Sequence, residues 1–194
     1  MPKGGKLFIV SGPSGVGKST VVQAALGRLA GRLEVFLSVS VTTRRPRRGE
    51  VDGVDYRFIE EAEFNRLRDG GGLVEWARVH NHWYGTPAAP LREALAAGKC
   101  ALLEIDVQGG IQAHQQFPEA VALFLEPPSD AELRRRIVDR ATEDDESIRR
   151  RLEAAHDEWR TARECGAYSR FIVNDQLDEC IRQVEKFLLE EARR

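Results

Sequence analysis

A chain of 194 residues is long enough for one ordinary domain with a real hydrophobic centre. Charged residues make up 31% of it yet nearly cancel at a formal net charge of -2, so no overall field draws it to nucleic acid or a membrane surface. Cys100, Cys165 and Cys180 are too few and too scattered for a disulfide framework or a zinc site, and no leader or membrane-length apolar run is present, so the expected location is the reducing cytoplasm.

The first apolar run, Leu7 to Ser11, reads as a strand. It leads directly into Gly12-Pro13-Ser14-Gly15-Val16-Gly17-Lys18-Ser19, and a helical stretch containing Thr20 runs from Lys18 to Leu29. Strand, glycine-rich loop and helix in this order form a complete phosphate-binding loop. Its glycines let backbone N–H groups surround phosphate oxygens, Lys18 neutralises the β and γ phosphates, and the Ser19 hydroxyl can ligate Mg²⁺. A nucleoside triphosphate is the expected ligand.

After a strand expected over Val35 to Val39, the pattern changes from about Ser40 to Ala89. A basic, turn-prone loop from Thr42 to Glu50 is followed by strand-like Tyr56 to Ile59 and Leu73 to Val79 around a short helical piece, which reads as a small antiparallel insertion. A helix is expected over Ala88 to Ala97, with Thr86 as its cap and Pro87 in its first turn, then a strand over Ala101 to Ile105, a helix over Val107 to Gln116 and a strand over Val121 to Leu125. Ser129 and Glu132 have capping-box spacing at the start of a helix over Asp130 to Asp139. A longer helix over Glu146 to Cys165 places Ile148, Leu152, Ala155 and Trp159 on one face; a strand over Phe171 to Val173 and a helix over Leu177 to Ala192 complete the series. Alternating strands and helices imply an α/β fold with a parallel sheet and flanking helices.

Further stretches share a recognisable order: Ser38-Val39-Ser40-Val41-Thr42-Thr43-Arg44-Arg45-Pro46-Arg47, Gly49-Glu50, Gly53-Val54-Asp55-Tyr56, Glu75-Trp76-Ala77, Tyr84-Gly85-Thr86, Ile105-Asp106-Val107-Gln108-Gly109, Pro127-Pro128-Ser129 and Ile172-Val173-Asn174-Asp175. With the phosphate loop, they make the chain from about Lys6 to Asp175 resemble the guanylate kinases. The resemblance implies a P-loop kinase core (about 1–38, 90–128 and 161–194), a small mixed α/β GMP-binding insertion (about 39–89) and a helical lid (about 129–160). It implies transfer of the γ-phosphoryl group of ATP to GMP, and to dGMP, with Mg²⁺ and within purine metabolism. It suggests no nucleic-acid or membrane partner and leaves a homo-oligomer open.

The same resemblance implies that Arg44, Arg47, Tyr56 and Tyr84 hold the GMP phosphate, whereas Arg45 and Arg48 match no phosphate ligand and read as solvent-facing. A guanidinium fork matches a phosphate, and phenol hydroxyls complete its shell without adding charge. The resemblance also places Ser40, Glu75, Thr86 and Asp106 around guanine. Ionised carboxylates only accept hydrogen bonds, which suits the guanine N1–H and 2-amino group and not adenine. Asp106, at the end of an apolar strand, also stands where a carboxylate would organise Mg²⁺ through water, beside Ser19. The implied catalytic set is Lys18, Arg44, Arg140 and Arg151, the last two reaching the phosphates as the lid closes, and the Asn174 amide is placed near the adenine. Arg135, Arg136, Arg149 and Arg150 read as an exposed helical face.

The chain departs from the family pattern at three places. It has Glu104-Ile105-Asp106 where Asp-Ile-Asp is usual, Asp139-Arg140-Ala141 in place of Gly-Arg-Gly, and Asn81-His82-Trp83-Tyr84 in place of Gly-Asn-Tyr-Tyr. The four histidines have no metal-ligand spacing and are assigned no catalytic role. Two other functions stand beside the kinase: a guanylate-kinase-like module that only captures phosphopeptides, and a P-loop kinase of another small phosphorylated substrate. The first predicts a decayed ATP site, whereas Gly17, Lys18 and Ser19 are all present. The second has no need of Glu75 and Asp106 facing a base.

Overall fold

Leu7–Ser11 forms strand β1, buried along its whole length, as a central parallel strand covered on both faces must be. The computed structural model describes residues 5–79, 81–138 and 145–194. Successive β1 side chains enter different cores: Phe8 and Val10 pack on one face of the sheet, Leu7 and Ile9 on the other. Helix α1 (Lys18–Leu29) follows the phosphate loop, and β2 (Val35–Leu37) ends two residues before the expected strand limit.

The main sheet has the order β2-β7-β1-β8-β9, with β7 at Cys100–Glu104, β8 at Val121–Glu126 and β9 at Tyr168–Val173, and all its pairings are parallel. Since β1 is flanked by β7 on one side and β8 on the other, the loop after β1 opens at a switch in strand order, where open α/β sheets bind ligands. Helices α1 and α7 (Leu177–Arg193) contribute Val21, Val22, Ala25, Ile181, Val184 and Leu188 to one core. Helices α3 (Ala88–Ala96) and α4 (Val107–Gln116) cover the other face with Leu91, Val107 and Ala113. This two-sided packing fixes the strand ends that carry the site.

The region after β2 forms a second sheet, β4-β3-β6-β5, from β3 (Val41–Thr42), β4 (Arg57–Phe58), β5 (Leu73–Val79) and β6 (His82–Pro87), with α2 (Glu61–Asp69) beside it. The expectation of a purely antiparallel insertion is corrected here. β6 runs antiparallel to β3 and β5, but β4 lies parallel to β3 because the 43–56 segment loops back before pairing. The outer edge of β5 meets α4, where the Gln112 side chain accepts from Trp76 N (3.2 Å) and donates to Trp76 O (3.0 Å). A side-chain amide thereby takes the place of a neighbouring strand.

Helices α5 (Asp130–Val138) and α6 (Asp145–Glu164) follow β8 and pack against each other. Leu133, Ile137, Ile148 and Ala155 make a small core of their own, with Leu152 packed against it. Ser129 Oγ accepts from Glu132 N at 3.2 Å, half of the expected capping box. The Glu132 carboxylate is instead taken by Arg135 and Arg136, which hold its carboxyl down at about 2. The other expected cap is also corrected: α3 begins after Pro87, and the Thr86 hydroxyl points to Glu75.

Candidate active site

The phosphate loop leaves β1 and turns into α1 through Gly17, whose φ of 94° only glycine adopts without strain. Lys18 Nζ donates to Gly12 O at 2.5 Å and Pro13 O at 3.3 Å, so the ammonium spans the loop. Ser19 Oγ, in the first turn of α1, donates to Glu104 Oε1 at 2.5 Å. Ser14 and Thr20 are exposed at the mouth of the loop, while Val16 is buried beneath it. Asn174, 5% exposed just beyond β9, donates through Nδ2 to Val16 O at 2.7 Å.

Side chains of α5 and α6 reach this loop. Arg151 donates to Ser14 Oγ at 3.2 Å. Arg136 donates to Asn174 O at 3.0 Å and Val16 O at 3.4 Å, so it is not the exposed residue expected of it. Its position three residues after buried Leu133 turns it inward, whereas Arg135, Arg149 and Arg150 stay on the solvent face. Arg140 lies outside the described residues.

A second group of polar side chains gathers between the small sheet and the end of β7. Glu75 faces Thr86 across the β5–β6 register, and Glu75 Oε1 accepts from Thr86 Oγ1 at 2.6 Å. Thr86 Oγ1 also lies 3.4 Å from Ser40 Oγ. Glu75 is 5% exposed; burial, reinforced by the Asp106 charge and opposed by the Thr86 hydrogen bond, pushes its carboxyl up to about 7. Asp106 caps α4, with Oδ1 accepting from Gly109 N at 2.8 Å. A Cβ at Gly109 would stand 2.7 Å from Glu75 Oε2, so a larger residue there would displace the Glu75 carboxylate.

Beside this group lies a cationic corner. Arg44 Nε donates to the Tyr84 hydroxyl at 3.1 Å, and its guanidinium stands 5.5 Å from the centre of the Tyr56 ring. Tyr56 and Tyr84 meet edge to face at 5.8 Å. The terminal edge of the Arg44 fork is not open to solvent: NH1 and NH2 each donate to Glu50 at 2.9 Å. Glu50, to which the sequence reading gave no role, also accepts from Arg47 N at 2.7 Å, and its carboxyl is held below the ordinary range chiefly by Arg44. The Arg47 side chain is exposed at the rim, with Arg45 and Arg48 on either side.

A glycine-rich loop of phosphate-binding pattern thus stands in one molecule with a group of buried carboxylate and hydroxyl side chains and an arginine-tyrosine corner. The family profile described as guanylate kinase matches residues 4–191. The chain belongs to the guanylate kinase family. It is 45% identical over 185 residues to a guanylate kinase of Synechococcus sp. (strain CC9902), covering 95% of this chain and 96% of that one. It is 52% identical over 159 residues to a guanylate kinase of Thermobifida fusca (strain YX), covering 82% and 80%. The crystal structure of guanylate kinase from Anaplasma phagocytophilum superposes with a TM-score of 0.79 at 33% identity, covering 99% of this chain and 88% of that one.

As a guanylate kinase the chain brings together residues that its sequence scatters. Ser40, Glu75, Thr86 and Asp106 converge from four segments, and Arg44 meets Tyr56 and Tyr84. Two further residues join these groups without having been singled out for it: Glu50 orients Arg44, and Arg136 donates to Asn174 O. Glu104, whose departure from Asp falls at a position expected to help order the metal site, contacts Ser19, and its extra methylene gives the reach to that hydroxyl.

Proposed function

We propose a residue-level account of the ATP:GMP phosphotransferase activity that membership of the guanylate kinase family gives this chain. ATP lies with its phosphates in the loop from Gly12 to Thr20, Lys18 against the β and γ phosphates, and its adenine beside Asn174 and Arg136. GMP lies with its phosphate near Arg44, Arg47, Tyr56 and Tyr84, and its base against Ser40, Glu75, Thr86 and Asp106. The observation that carries this reading is the buried Glu75–Thr86 pair beside Asp106: two carboxylates facing one small pocket suit a ligand edge rich in N–H donors. This favours guanine over adenine and over a sugar phosphate.

The chemistry then requires little covalent work from the protein. The GMP phosphate oxygen attacks the γ-phosphorus of ATP, the bond to the bridging oxygen breaks, and ADP leaves with that electron pair. Lys18, Arg44, Arg151 and Arg140 hold the two phosphates in line and offset the charge spread over the migrating group. Mg²⁺ fits the oxygen donors present. The Ser19 hydroxyl and the Glu104 carboxylate meet at the loop, and Asp106, two residues beyond Glu104, would act through water. Once bound there, it supplies further charge neutralisation at the β and γ phosphates.

The lid excludes water so that the γ-phosphoryl group passes to GMP and not to solvent. Among the described residues no helix is long and apolar enough to cross a membrane. We place the enzyme in the cytoplasm, in keeping with its three free cysteines. An ADP-release assay run separately with GMP, AMP, UMP, CMP and ribose phosphates tests the assignment. Turnover with GMP at least a hundredfold above the others is the expected result, and equal use of ribose phosphate would remove the base-reading pocket.

A further inference from the structure

The strand that carries Glu75 is irregular at that residue. β5 loses its alternation at Leu73, Val74 and Glu75, three buried residues in a row, and its register against β6 shifts between Leu73 and Glu75. Such an irregularity re-aims a side chain and disrupts the pairing that would otherwise hold it. Here the side chain is the Glu75 carboxylate, and it is aimed at α4. A Cβ on Gly109 would stand 2.7 Å from Glu75 Oε2 and 3.4 Å from Asp106 Oδ1, so the two carboxylates flank one bare step of that helix.

β5 is also the edge of its sheet, and one row of its backbone groups faces away from β6. Trp76, directly after Glu75, has its N–H and C=O taken by the Gln112 side chain at 3.2 and 3.0 Å. An amide carries the acceptor and the donor that this pair needs; a carboxylate or a hydrocarbon of the same length does not. Gln112 stands three residues after Gly109 and six after Asp106, so the helix capped by Asp106 also clasps the strand that bears Glu75. Stability alone does not account for the clasp. The Trp76 side chain is 40% exposed and the two hydrogen bonds lie at the surface, where water would replace them at little cost. Water would not fix the spacing of β5 from α4.

We propose that Gln112 is a positioning residue for base recognition: through the Trp76 backbone it holds Glu75 at the spacing from Asp106 at which both carboxylates meet one guanine edge. The inference rests on the base-reading role proposed above for Glu75. Without the clasp, β5 shifts against α4 and the Glu75 carboxylate leaves its place beside Asp106. The phosphate corner keeps its own ties, from Arg44 to Tyr84 and Glu50.

The test measures kcat/KM for GMP and for IMP, with KM for ATP, in wild type, Gln112→Met, Gln112→Ala, Glu75→Gln and the double variant Gln112→Met with Glu75→Gln. IMP keeps the N1–H and lacks the 2-amino group, so a displaced carboxylate forfeits two contacts with GMP and one with IMP. Gln112→Met should lower kcat/KM about tenfold for GMP and about threefold for IMP, through KM for the nucleotide, with KM for ATP within about twofold of wild type. Gln112→Ala, which offers no long side chain in exchange, should reproduce both losses. In the Glu75→Gln background the Gln112→Met change should cost less than about twofold, because the group it acts through has been altered. Equal proportional losses for GMP and IMP, a GMP loss below about twofold in either single variant of Gln112, a matching rise in KM for ATP, or losses that multiply in the double variant would each overturn the proposal, whatever the change in melting temperature. A Glu75→Gln enzyme that keeps the wild-type ratio of GMP to IMP use would instead overturn the reading of Glu75 itself.

Discussion

The Ser19 hydroxyl donates to Glu104 Oε1 at 2.5 Å, joining the first turn of α1 to the end of β7. The two residues are 85 positions apart, yet β1 and β7 are hydrogen-bonded neighbours, with Val10 opposite Glu104. The carboxylate is therefore delivered to the phosphate loop by sheet register, and its length matters. An aspartate on the same backbone would end one methylene short of the hydroxyl.

Glu104→Gln is expected to raise the Mg²⁺ concentration needed for half-maximal turnover by about tenfold, since a neutral amide is a weaker ligand for a hard cation. KM for GMP should change little. Titrating activity with MgCl₂ at fixed free ATP checks this, and an unchanged Mg²⁺ requirement would assign the carboxylate to orienting α1 alone.

The parts of this site that are contiguous in sequence are the parts that can be read there. The phosphate loop is one such part, because strand, glycines, lysine and helix follow each other within about a dozen residues and each has a local cause. The Thr86 hydroxyl is not, because two partners competed for it. Local chemistry offered the first turn of α3, but the β5–β6 register places Glu75 opposite, and a buried carboxylate is the stronger acceptor. Arg134, Arg135 and Arg136 look alike as a run of charge; only their phase against buried Leu133 and Ile137 separates the inward one. The parallel strand β4 was illegible for a related reason, since the direction of a two-residue strand is set by the path of the loop before it.

Glu75 gives the sharpest expectation about pH. Guanine presents N–H donors, so only the ionised carboxylate completes the pocket, and with its carboxyl at about 7 the group protonates as pH falls below neutrality. kcat/KM for GMP should therefore decline toward a tenfold loss per pH unit below 7, with GMP binding releasing a proton. Glu75→Gln should abolish that slope and cost roughly 2–4 kcal/mol, about thirty- to a thousandfold, for GMP, with much less change for AMP. Stability runs the opposite way. The folded value lies above the ordinary 4.5, so the stabilisation is complete below 4.5 and is lost as pH rises through 7. The melting temperature of Glu75→Gln should exceed that of wild type at pH 8 and approach it at pH 5.

The Arg44–Glu50 pair sets a second expectation. Its two side chains are 11% and 19% exposed, and the bidentate contact leaves Arg44 only part of its fork for a phosphate. Glu50 thus trades some of the arginine's binding capacity for a fixed direction toward Tyr84. Glu50→Gln should loosen both Arg44 and the turn at Arg47, raising KM for GMP about tenfold with KM for ATP unchanged. A lower KM for GMP would show that Glu50 competes with the phosphate.

Arg151, in α6, donates to Ser14 Oγ at the rim of the loop, and the proposed closure of that helix would bring it over the phosphates. Its contribution should be largest when the lid closes over both nucleotides. Arg151→Ala is expected to lower kcat about a hundredfold while GMP binding measured without ATP changes less than about threefold. Equal losses in both would make it a ground-state ligand.

The helical excursion between β8 and β9, proposed above as the lid, is rooted on Glu126, the last residue of β8. Glu126 is 4% exposed, and its Oε1 accepts from Trp159 Nε1 at 2.5 Å and from Arg163 Nε and NH2 at 2.9 and 2.6 Å. The chain leaves the sheet at this residue to build the lid and returns along α6, so one carboxylate grips both ends of the excursion. Arg163 also lies over the Phe171 ring at 4.2 Å, which keeps its guanidinium at the root even without an ion pair. Removing the acceptor leaves the half-buried Trp159 N–H and the half-exposed Arg163 unmatched, the first costing more than the second because solvent reaches the arginine more freely. Glu126→Ala should therefore destabilise the protein by about 2–3 kcal/mol in urea unfolding. KM for ATP should hold while kcat falls severalfold as the helical excursion loses its fixed pivot. Trp159 reports the same event directly: its fluorescence should shift on addition of ATP and GMP in wild type, and that shift should be lost in Glu126→Ala. A variant with wild-type kcat and an intact fluorescence response would show that the lid turns about some other point.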